Sequence, residues 1–404
     1  MSAKSWLQSF VNGEETNTFW LHLIGTADTE SLVKATMAQI QWILDKWREN
    51  SSDIARNEKV TMEIIPEYES FECWESISTL TKSVRWKHVY LFSDPSGDYE
   101  SKDLSVRKND LDRKLMHDLL LLNSIRDNGA RTVNLVQSCV PYARQDKTTP
   151  EKRQSASIDV IGWWIAGITE RDGYCITMDI HNPASKSAFK WTNFINLYTG
   201  WFVEECMRDV WLTKDNTVLS GADQWWDKTI QAISKQFKLN NITVIKKRDY
   251  SIMNSVEEIN IYGDVEWKDV FIHDDMLDTW GTMETLIRKM LKKKPKSINV
   301  GVTHWMLNGK AIERLTRIRE ESNWIVQNIY ITDSINKENL PDFIKVIETK
   351  NILANTITGI YKWLWVDRWD IGDYTSIPKS SGKVIQFLKR QVRRIWKKLL
   401  DKAA

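Results

Sequence analysis

Short apolar runs rich in β-branched residues alternate along this chain with segments of helical periodicity. Strands are predicted at 86–92, 132–139, 174–181, 242–247, 268–275, 297–304 and 328–332. Helices are predicted at 112–128, 227–237 and 281–294. Because such alternation is typical of βαβ units, we predict an α/β fold with mostly parallel, doubly wound sheets. Ligands of these sheets bind beyond the carboxyl ends of the strands, so the polar residues at those ends carry the functional information.

Composition and charge exclude several classes of protein. The 404 residues suffice for two domains, and the formal net charge of +2 gives no basic field for nucleic acid. No apolar run approaches the roughly 18 residues that a membrane span needs, and residues 1–15 lack an apolar signal segment. The four cysteines are scattered without a CxxC pair, as in proteins with reduced thiols. We therefore expect a cytoplasmic protein with no transmembrane segment and no nucleic-acid partner.

Tryptophan is over-represented and glycine is scarce. The chain has 21 Trp and 16 Gly, whereas glycine at its usual frequency of about 7% would give roughly 28. The anomaly is most visible in SGADQWWDKT (220–229), where Trp225 and Trp226 occupy a turn expected to cradle phosphate. Such a turn needs backbone that no side chain obstructs, so two indoles there demand an explanation.

A group of acids and threonines follows the apolar run at 268–273. Asp274 and Asp275 end the predicted strand, and Asp278 opens a turn that leads through 279–282 into a helix. Backbone N–H groups and threonine hydroxyls at a helix N-terminus favour phosphate, and the acids suit sugar hydroxyls or hydrated Mg²⁺. Acids after a strand also serve as turn and N-cap residues. The pattern by itself leaves both readings open.

Further polar segments stand in a fixed order around this loop. They are PYARQDK (141–147), RQSASIDVI (153–161), TMDIH (177–181), NLY (196–198), VLSGADQ (218–224), VIKKR (244–248), IYGDVEWKDVFIHDDMLDT (261–279), GVTHWMLNGKAIER (301–314) and TDSI (332–335). In order and spacing they resemble the ribose-phosphate diphosphokinase (PRPP synthetase) family over roughly residues 20–357. The loop at 274–282 alone also resembles phosphoribosyltransferases.

This resemblance implies two phosphoribosyltransferase-type domains and a homo-oligomer, often a hexamer. The ATP-side domain is expected at 19–198 and the ribose 5-phosphate side at 199–357, flanked by extensions at 1–18 and 358–404. The second extension becomes basic from Pro378 and carries a helical apolar stripe. It is either a surface for an anionic membrane or a partner, or a solvated helix docked on its own protein.

The family's reaction moves the diphosphoryl group of Mg·ATP to the 1-hydroxyl of ribose 5-phosphate, giving PRPP and AMP. By resemblance, ATP is bound by Phe71, Glu75, Arg144, Gln145 and Asp146. Mg²⁺ is held by His181 and Asp223. Ribose 5-phosphate is held by Asp223, Asp274, Asp275, Asp278, Thr279, Trp280, Gly281 and Thr282, beside a diphosphate loop of Asp223, Gln224, Trp225 and Trp226. The catalytic cations are Lys246, Lys247 and Arg248. Taken singly, the histidine also fits a structural role and the cations a solvated surface.

The same resemblance explains where the tryptophans fall. The family has glycine, or another small residue at the last two, at Trp74, Trp86, Trp225, Trp226, Trp267, Trp280 and Trp305. Since one residue type recurs at these positions, the leading hypothesis is that UGA codons meaning glycine have been translated as tryptophan. If the tryptophans are genuine, the chain is instead a non-catalytic regulatory relative. A third hypothesis, a PRPP-using phosphoribosyltransferase, does not predict the segment 141–147.

Overall fold

The computed structural model describes thirteen stretches of the chain. They are residues 20–50, 59–65, 69–73, 75–96, 111–148, 153–198, 200–209, 216–223, 226–247, 258–278, 280–306, 310–337 and 339–366. The predicted N-terminal extension and the basic segment from Pro378 lie outside them. Several single predictions also lie outside them, namely Trp74, Gln224, Trp225, Arg248, Thr279 and the side chain of Lys247.

Two mostly parallel sheets organise the described residues. The strands are β1 (Trp20–Thr26), β2 (Lys59–Ile65), β3 (Glu69–Ser70), β4 (Ser76–Ile77), β5 (His88–Phe92), β6 (Thr132–Val136), β7 (Tyr174–Met178), β8 (Asn193–Leu197), β9 (Thr217–Gly221), β10 (Asn240–Lys247), β11 (Glu258–Tyr262), β12 (Asp269–Leu277), β13 (Ser297–Trp305), β14 (Val326–Thr332) and β15 (Ile344–Ile347). The first sheet has the order β2-β1-β5-β6-β7-β8, with every neighbouring pair parallel. The second has the order β11-β10-β9-β12-β13-β14-β15, and only β10 and β11 pair antiparallel. The predicted α/β fold with mostly parallel sheets is confirmed.

Helices connect the strands, as parallel pairing requires. They are α1 (Glu30–Asn50), α2 (Leu111–Asp127), α3 (Ser157–Thr169), α4 (Gly200–Asp209), α5 (Asp227–Phe237), α6 (Gly281–Leu291), α7 (Ala311–Glu321) and α8 (Lys350–Val366), with short 3₁₀ segments at Ala27–Thr29 and Pro183–Phe189. The three predicted helices correspond to α2, α5 and α6. Both sheets belong to one unit, Met1–Val366. The proposed boundary at 198/199 separates the sheets in sequence, and the proposed start of the C-terminal extension, residue 358, falls inside α8.

Each sheet is buried by apolar residues of its strands and helices. In the first, Leu91 and Leu135 pack with Ile165 of α3, all at most 2% exposed. In the second, a separate core cluster contains Val300 and Leu286 of α6, both fully buried. Strands covered in this way read as continuous apolar runs, which is why the sequence predicted them. The polar side chains are left for the strand ends, where β7 stops at Met178 and not at the predicted residue 181.

Candidate active site

Two side-chain contacts join loops of the first sheet to the second. His181, three residues beyond β7, places Nδ1 at 2.8 Å from Asp275 Oδ2 in β12. Arg144, in the loop after β6, donates from Nη1 to Asp278 Oδ2 at 3.2 Å. The partners lie 94 and 134 residues apart in sequence. Three of the motifs that the sequence singled out are thereby brought to one place.

A second pair of contacts, between buried residues, joins β13 to the end of β7. Thr303 Oγ1 donates to Asp179 Oδ2 at 2.8 Å, and both residues are buried. His304 Nε2 lies 2.9 Å from the carbonyl oxygen of Met178 and must donate, because a carbonyl only accepts. Burial lowers the pKa of His304, so the imidazole is neutral. Sequence reasoning did not single out these residues, although Asp179 and Thr303 stand next to strand ends within the quoted motifs.

The pKa values of the neighbouring carboxyl groups of Asp274 and Asp275 are shifted in opposite directions. Burial, and then the charge of Asp275, raise the pKa of Asp274 well above its usual range. Burial also acts to raise the pKa of Asp275, but the hydrogen bond and charge of His181 hold it below the usual range. The same hydrogen bond raises the pKa of His181. Asp274 therefore favours its neutral form, and Asp275 favours its ionised form and is hydrogen-bonded to His181.

One tryptophan stands in the predicted phosphate turn and stacks on another at the end of β13. Trp280 precedes α6 at its N-cap, is 1% exposed, and stacks on Trp305 with ring centroids 5.5 Å apart and 9° between the planes. Gly281 and Thr282 begin α6, as the turn requires. Both indoles belong to the buried apolar core of the second sheet. The backbone of Trp280 lies at the N-terminus of α6, where N–H groups can face a ligand.

A tryptophan also stands in the predicted diphosphate turn. Trp226 donates from Nε1 to Asp275 Oδ1 at 3.3 Å, and its ring lies edge-on to His273 with centroids 4.7 Å apart. Asp223, just beyond β9, is half-buried. The indole of Trp226 thus covers one oxygen of the carboxylate that His181 binds through the other.

Comparison with known proteins identifies the family. A model of the N-terminal domain of ribose phosphate pyrophosphokinase matches residues 45–163. Ribose-phosphate pyrophosphokinase 2 of Schizosaccharomyces pombe is 27% identical over 293 residues, which cover 71% of this chain and 83% of that protein. The ribose-phosphate pyrophosphokinase of Helicobacter hepaticus is 30% identical over 251 residues, which cover 61% of this chain and 75% of that protein. The chain belongs to the ribose-phosphate pyrophosphokinase family.

The fold of this pyrophosphokinase agrees with a solved structure. Phosphoribosylpyrophosphate synthetase from Mycobacterium smegmatis matches with a TM-score of 0.65 at 18% identity, covering 85% of this chain and 99% of that one. The resemblance inferred from the motifs is confirmed, and with it the assignment of the chain as an enzyme, a transferase. In the part of the chain that the structure describes, no helix combines the length and apolar character needed to cross a bilayer.

The residues predicted to bind ATP are divided between two places. Asp146 accepts a hydrogen bond from Asn182 Nδ2, next to His181, and Gln145 accepts one from Ser157 Oγ. Arg144 and Asp146 therefore lie at the site, with Gln145 between them in sequence.

Phe71 and Glu75 do not join this group. Both are exposed on the β3–β4 hairpin, where Phe71 N donates to Glu75 O at 2.9 Å. That hairpin is bonded to α2, through Arg113 Nη2 and Ser70 Oγ at 2.9 Å. The described structure does not bring these two residues to His181 or Asp275.

The predicted cations and metal ligands are only partly described. Lys246, the penultimate residue of β10, is half-buried, and its charge acts to lower the pKa of Asp274. Within the described residues, no three His, Cys, Asp or Glu side chains are grouped to hold a metal. Mg²⁺ commonly takes one or two protein ligands together with water and substrate phosphates, so it does not need such a group. His181 and Asp223, both beyond strand ends, fit this sparser kind of site.

Proposed function

We propose that this pyrophosphokinase transfers the diphosphoryl group of Mg·ATP to the 1-hydroxyl of ribose 5-phosphate and releases PRPP and AMP. The observation that carries the proposal is the contact between His181 and Asp275. It joins the segment that follows β7 to the acids in the C-terminal half of β12, and it does so beside Arg144. We assign residues 19–198 to the ATP side and 199–357 to the ribose 5-phosphate side.

The acids suit the hydroxyl groups of a sugar. Because burial and the charge of Asp275 raise the pKa of Asp274, this residue favours the neutral carboxyl form, which can donate a hydrogen bond. Asp275 is ionised and can only accept one. Adjacent hydroxyls, each both donor and acceptor, match such a pair. Asp278, with Thr279, Gly281 and Thr282 at the start of α6, is assigned to the lower part of the ribose and its 5-phosphate.

The charge on the phosphates requires cations. Arg144 is half-exposed, so its guanidinium can turn from Asp278 to a phosphate oxygen. Mg²⁺ would neutralise the phosphate oxygens of ATP, held by Asp223 and by Nε2 of His181, which must be deprotonated to bind it. Lys246, Lys247 and Arg248 are assigned to the charge that develops during transfer. Since phosphoryl transfer needs little covalent help, positioning and neutralisation supply most of the acceleration.

A non-catalytic relative is the second candidate, and one observation favours it. Trp226 and Trp280 stand in the two turns that would hold diphosphate and 5-phosphate. The test is to assay two purified proteins, one with the sequence as written and one with glycine at 74, 86, 225, 226, 267, 280 and 305. We expect AMP, dependent on ribose 5-phosphate and Mg²⁺, from the glycine form only. If neither form makes AMP, the non-catalytic role replaces the proposal.

We further propose that the enzyme assembles as a homo-oligomer, a hexamer by family resemblance, and works in the cytoplasm. The exposed hairpin that carries Phe71 and Glu75 supports assembly, because among the residues that the structure describes it does not contact the rest of the site. Light scattering after gel filtration tests the oligomeric state directly. A monomer that is fully active would exclude the assembly as a requirement.

A further inference from the structure

Four tryptophans have a left-handed backbone. The φ angles are 63° at Trp86, 57° at Trp267, 68° at Trp280 and 64° at Trp324. In this region the Cβ atom of an L-residue approaches the following carbonyl oxygen, at a cost of about 1–2 kcal/mol per residue. Glycine, which has no Cβ atom, adopts it freely, and a bulky residue there is an outlier.

Tryptophan is concentrated among the left-handed residues. Within the described residues, 4 of the 12 non-glycine residues with positive φ are tryptophan, although tryptophan accounts for 21 of the 404 residues. Asparagine and aspartate are the types expected there, because their short polar side chains tolerate this backbone. Three of the other eight, Asp179, Asn323 and Asn339, are of those types. An ordinary distribution of residue types does not explain four tryptophans.

Trp86 and Trp267 hold equivalent positions in two turns of the same sequence pattern. Val84-Arg85-Trp86-Lys87 precedes β5, and Val265-Glu266-Trp267-Lys268 precedes β12. In each turn the last N–H donates to the first carbonyl, at 3.1 Å and 3.2 Å. Positive φ at the third residue of such a turn is the position that favours glycine. Both indoles are exposed, 64% and 70%, so no burial of the side chain offsets the backbone strain.

Trp324 has a glycine counterpart within the chain. Asn128-Gly129 follows α2 and Asn323-Trp324 follows α7, each ahead of a strand of its sheet. Gly129 has φ of 80°, and its N–H donates to the carbonyl of Arg126 at 3.0 Å. Trp324 N–H donates to the carbonyl of Arg319 at 3.0 Å. Both residues close the C-terminal end of a helix in the left-handed conformation, a position usually taken by glycine.

Trp280 is the one buried member of the four, and its burial brings a further cost. Its indole N–H is fully buried and has no hydrogen-bond acceptor in the described residues, and the same holds for Trp305, on which it stacks. A buried donor without an acceptor costs about 1–3 kcal/mol. Backbone and side chain of Trp280 are thus both in unfavourable environments.

We infer that positions 86, 267, 280 and 324 are glycine in the protein that the source organism makes, and that UGA codons read as glycine encode them. Position 324 is a new member of the set that the sequence suggested. Trp226 has φ of −79°, so the backbone does not require glycine there. The inference rests on backbone conformation and does not depend on the proposed function. One consequence does depend on it: glycine at 280 removes an indole from the turn assigned to the 5-phosphate.

The test is to measure by mass spectrometry the masses of peptides from the protein isolated from its source. Trypsin yields 249–268, 269–288 and 320–337, which contain Trp267, Trp280 and Trp324 as their sole tryptophans, and cleavage after glutamate yields 76–100 with Trp86. Each should be lighter than its written sequence by the difference between a tryptophan and a glycine residue. Peptide 172–186, which has no tryptophan, should have its written mass and serves as the control.

The gene gives a second readout. Codons 86, 267, 280 and 324 should all be UGA. A UGG codon, or a peptide with the mass of tryptophan, at any of the four overturns the inference for that position. Neither measurement uses enzymatic activity, so a negative result here leaves the proposed function to be judged on its own assay.

Discussion

His181 Nδ1 lies 2.8 Å from Asp275 Oδ2, and this hydrogen bond links the first sheet to the second. Asp275 is 5% exposed, whereas the side chain of His181 is 43% exposed. A buried carboxylate is stable only when it is paired, and an imidazole at the surface supplies the pair without being buried itself. The arrangement leaves one face of His181 open to a ligand. The contact therefore joins the two sheets and is compatible with the proposed binding of Mg²⁺ at the exposed side of His181.

Replacing Asp275 with asparagine should impair catalysis more than folding. Asp275→Asn keeps the shape of the side chain but removes the charge that pairs with His181 and that accepts the sugar hydroxyls. We expect kcat/KM for ribose 5-phosphate to fall by about 100-fold or more, as when one charge-stabilising group is lost. The test is to introduce this substitution into the glycine form described above and to measure AMP formation. Asp172→Asn, at an exposed position outside the site, is the matched control and should leave the rate unchanged.

The contact between Thr303 and Asp179 should contribute to stability. Thr303→Val is nearly isosteric and removes one donor from a buried carboxylate, which we expect to cost about 1–3 kcal/mol. Urea unfolding measures the change. Thr356→Val removes a half-buried hydroxyl that bonds only to the preceding helical turn and should cost clearly less. If the two variants lose the same free energy of unfolding, the contact between the sheets contributes no more to stability than an ordinary hydrogen bond within a helix.

Asp118 should make the stability of the protein depend on pH. Asp118 is buried, and the hydroxyl of Ser93 donates a hydrogen bond to its carboxyl group at 2.7 Å. Burial raises the pKa of Asp118 to about 8. Between the unfolded value near 4 and this folded value, the native state binds the proton more tightly than the unfolded state does. The free energy of unfolding contributed by Asp118 therefore falls as pH rises from about 4 to 8.

Asp118→Asn removes this penalty. The variant should be as stable as the parent below about pH 4 and increasingly more stable above it, by on the order of 1 kcal/mol per pH unit. Denaturant unfolding at pH 5 and pH 8 checks the sign. Asp127→Asn, an exposed position on the same helix, should show no such trend. A stability gain at pH 5 equal to that at pH 8 would contradict the ionisation argument.

Glycine at the left-handed positions should stabilise a recombinant protein that contains tryptophan there. We expect Trp267→Gly to raise the free energy of unfolding by about 1 kcal/mol, since its indole is exposed and the backbone strain is relieved. The gain for Trp324→Gly should be smaller, because its ring also contacts the guanidinium of Arg319, 5.2 Å from the ring centroid. Trp42→Gly is the opposite case, because Trp42 is also exposed but lies within α1. It should lower stability by about 0.5 kcal/mol. A loss of stability in all three would refute the conformational argument.

The sequence alone determined the fold class and most of the site's parts. Buried parallel strands read as apolar runs, so β5, β12 and β13 are predictable from local pattern, and the ordered motifs by themselves indicate the family. The surplus of tryptophan over glycine was likewise visible in the composition.

Only the tertiary structure decided which strand ends meet. The sequence around His181 and around Asp275 does not indicate that these residues, 94 positions apart, form a hydrogen bond. That contact depends on the order of the strands and on how the sheets pack. The contact of Asp179 with Thr303 was hidden for the same reason. Trp324 became visible as a glycine position through its φ angle alone. Local periodicity encodes burial, whereas backbone handedness and long-range contacts arise when the chain is folded.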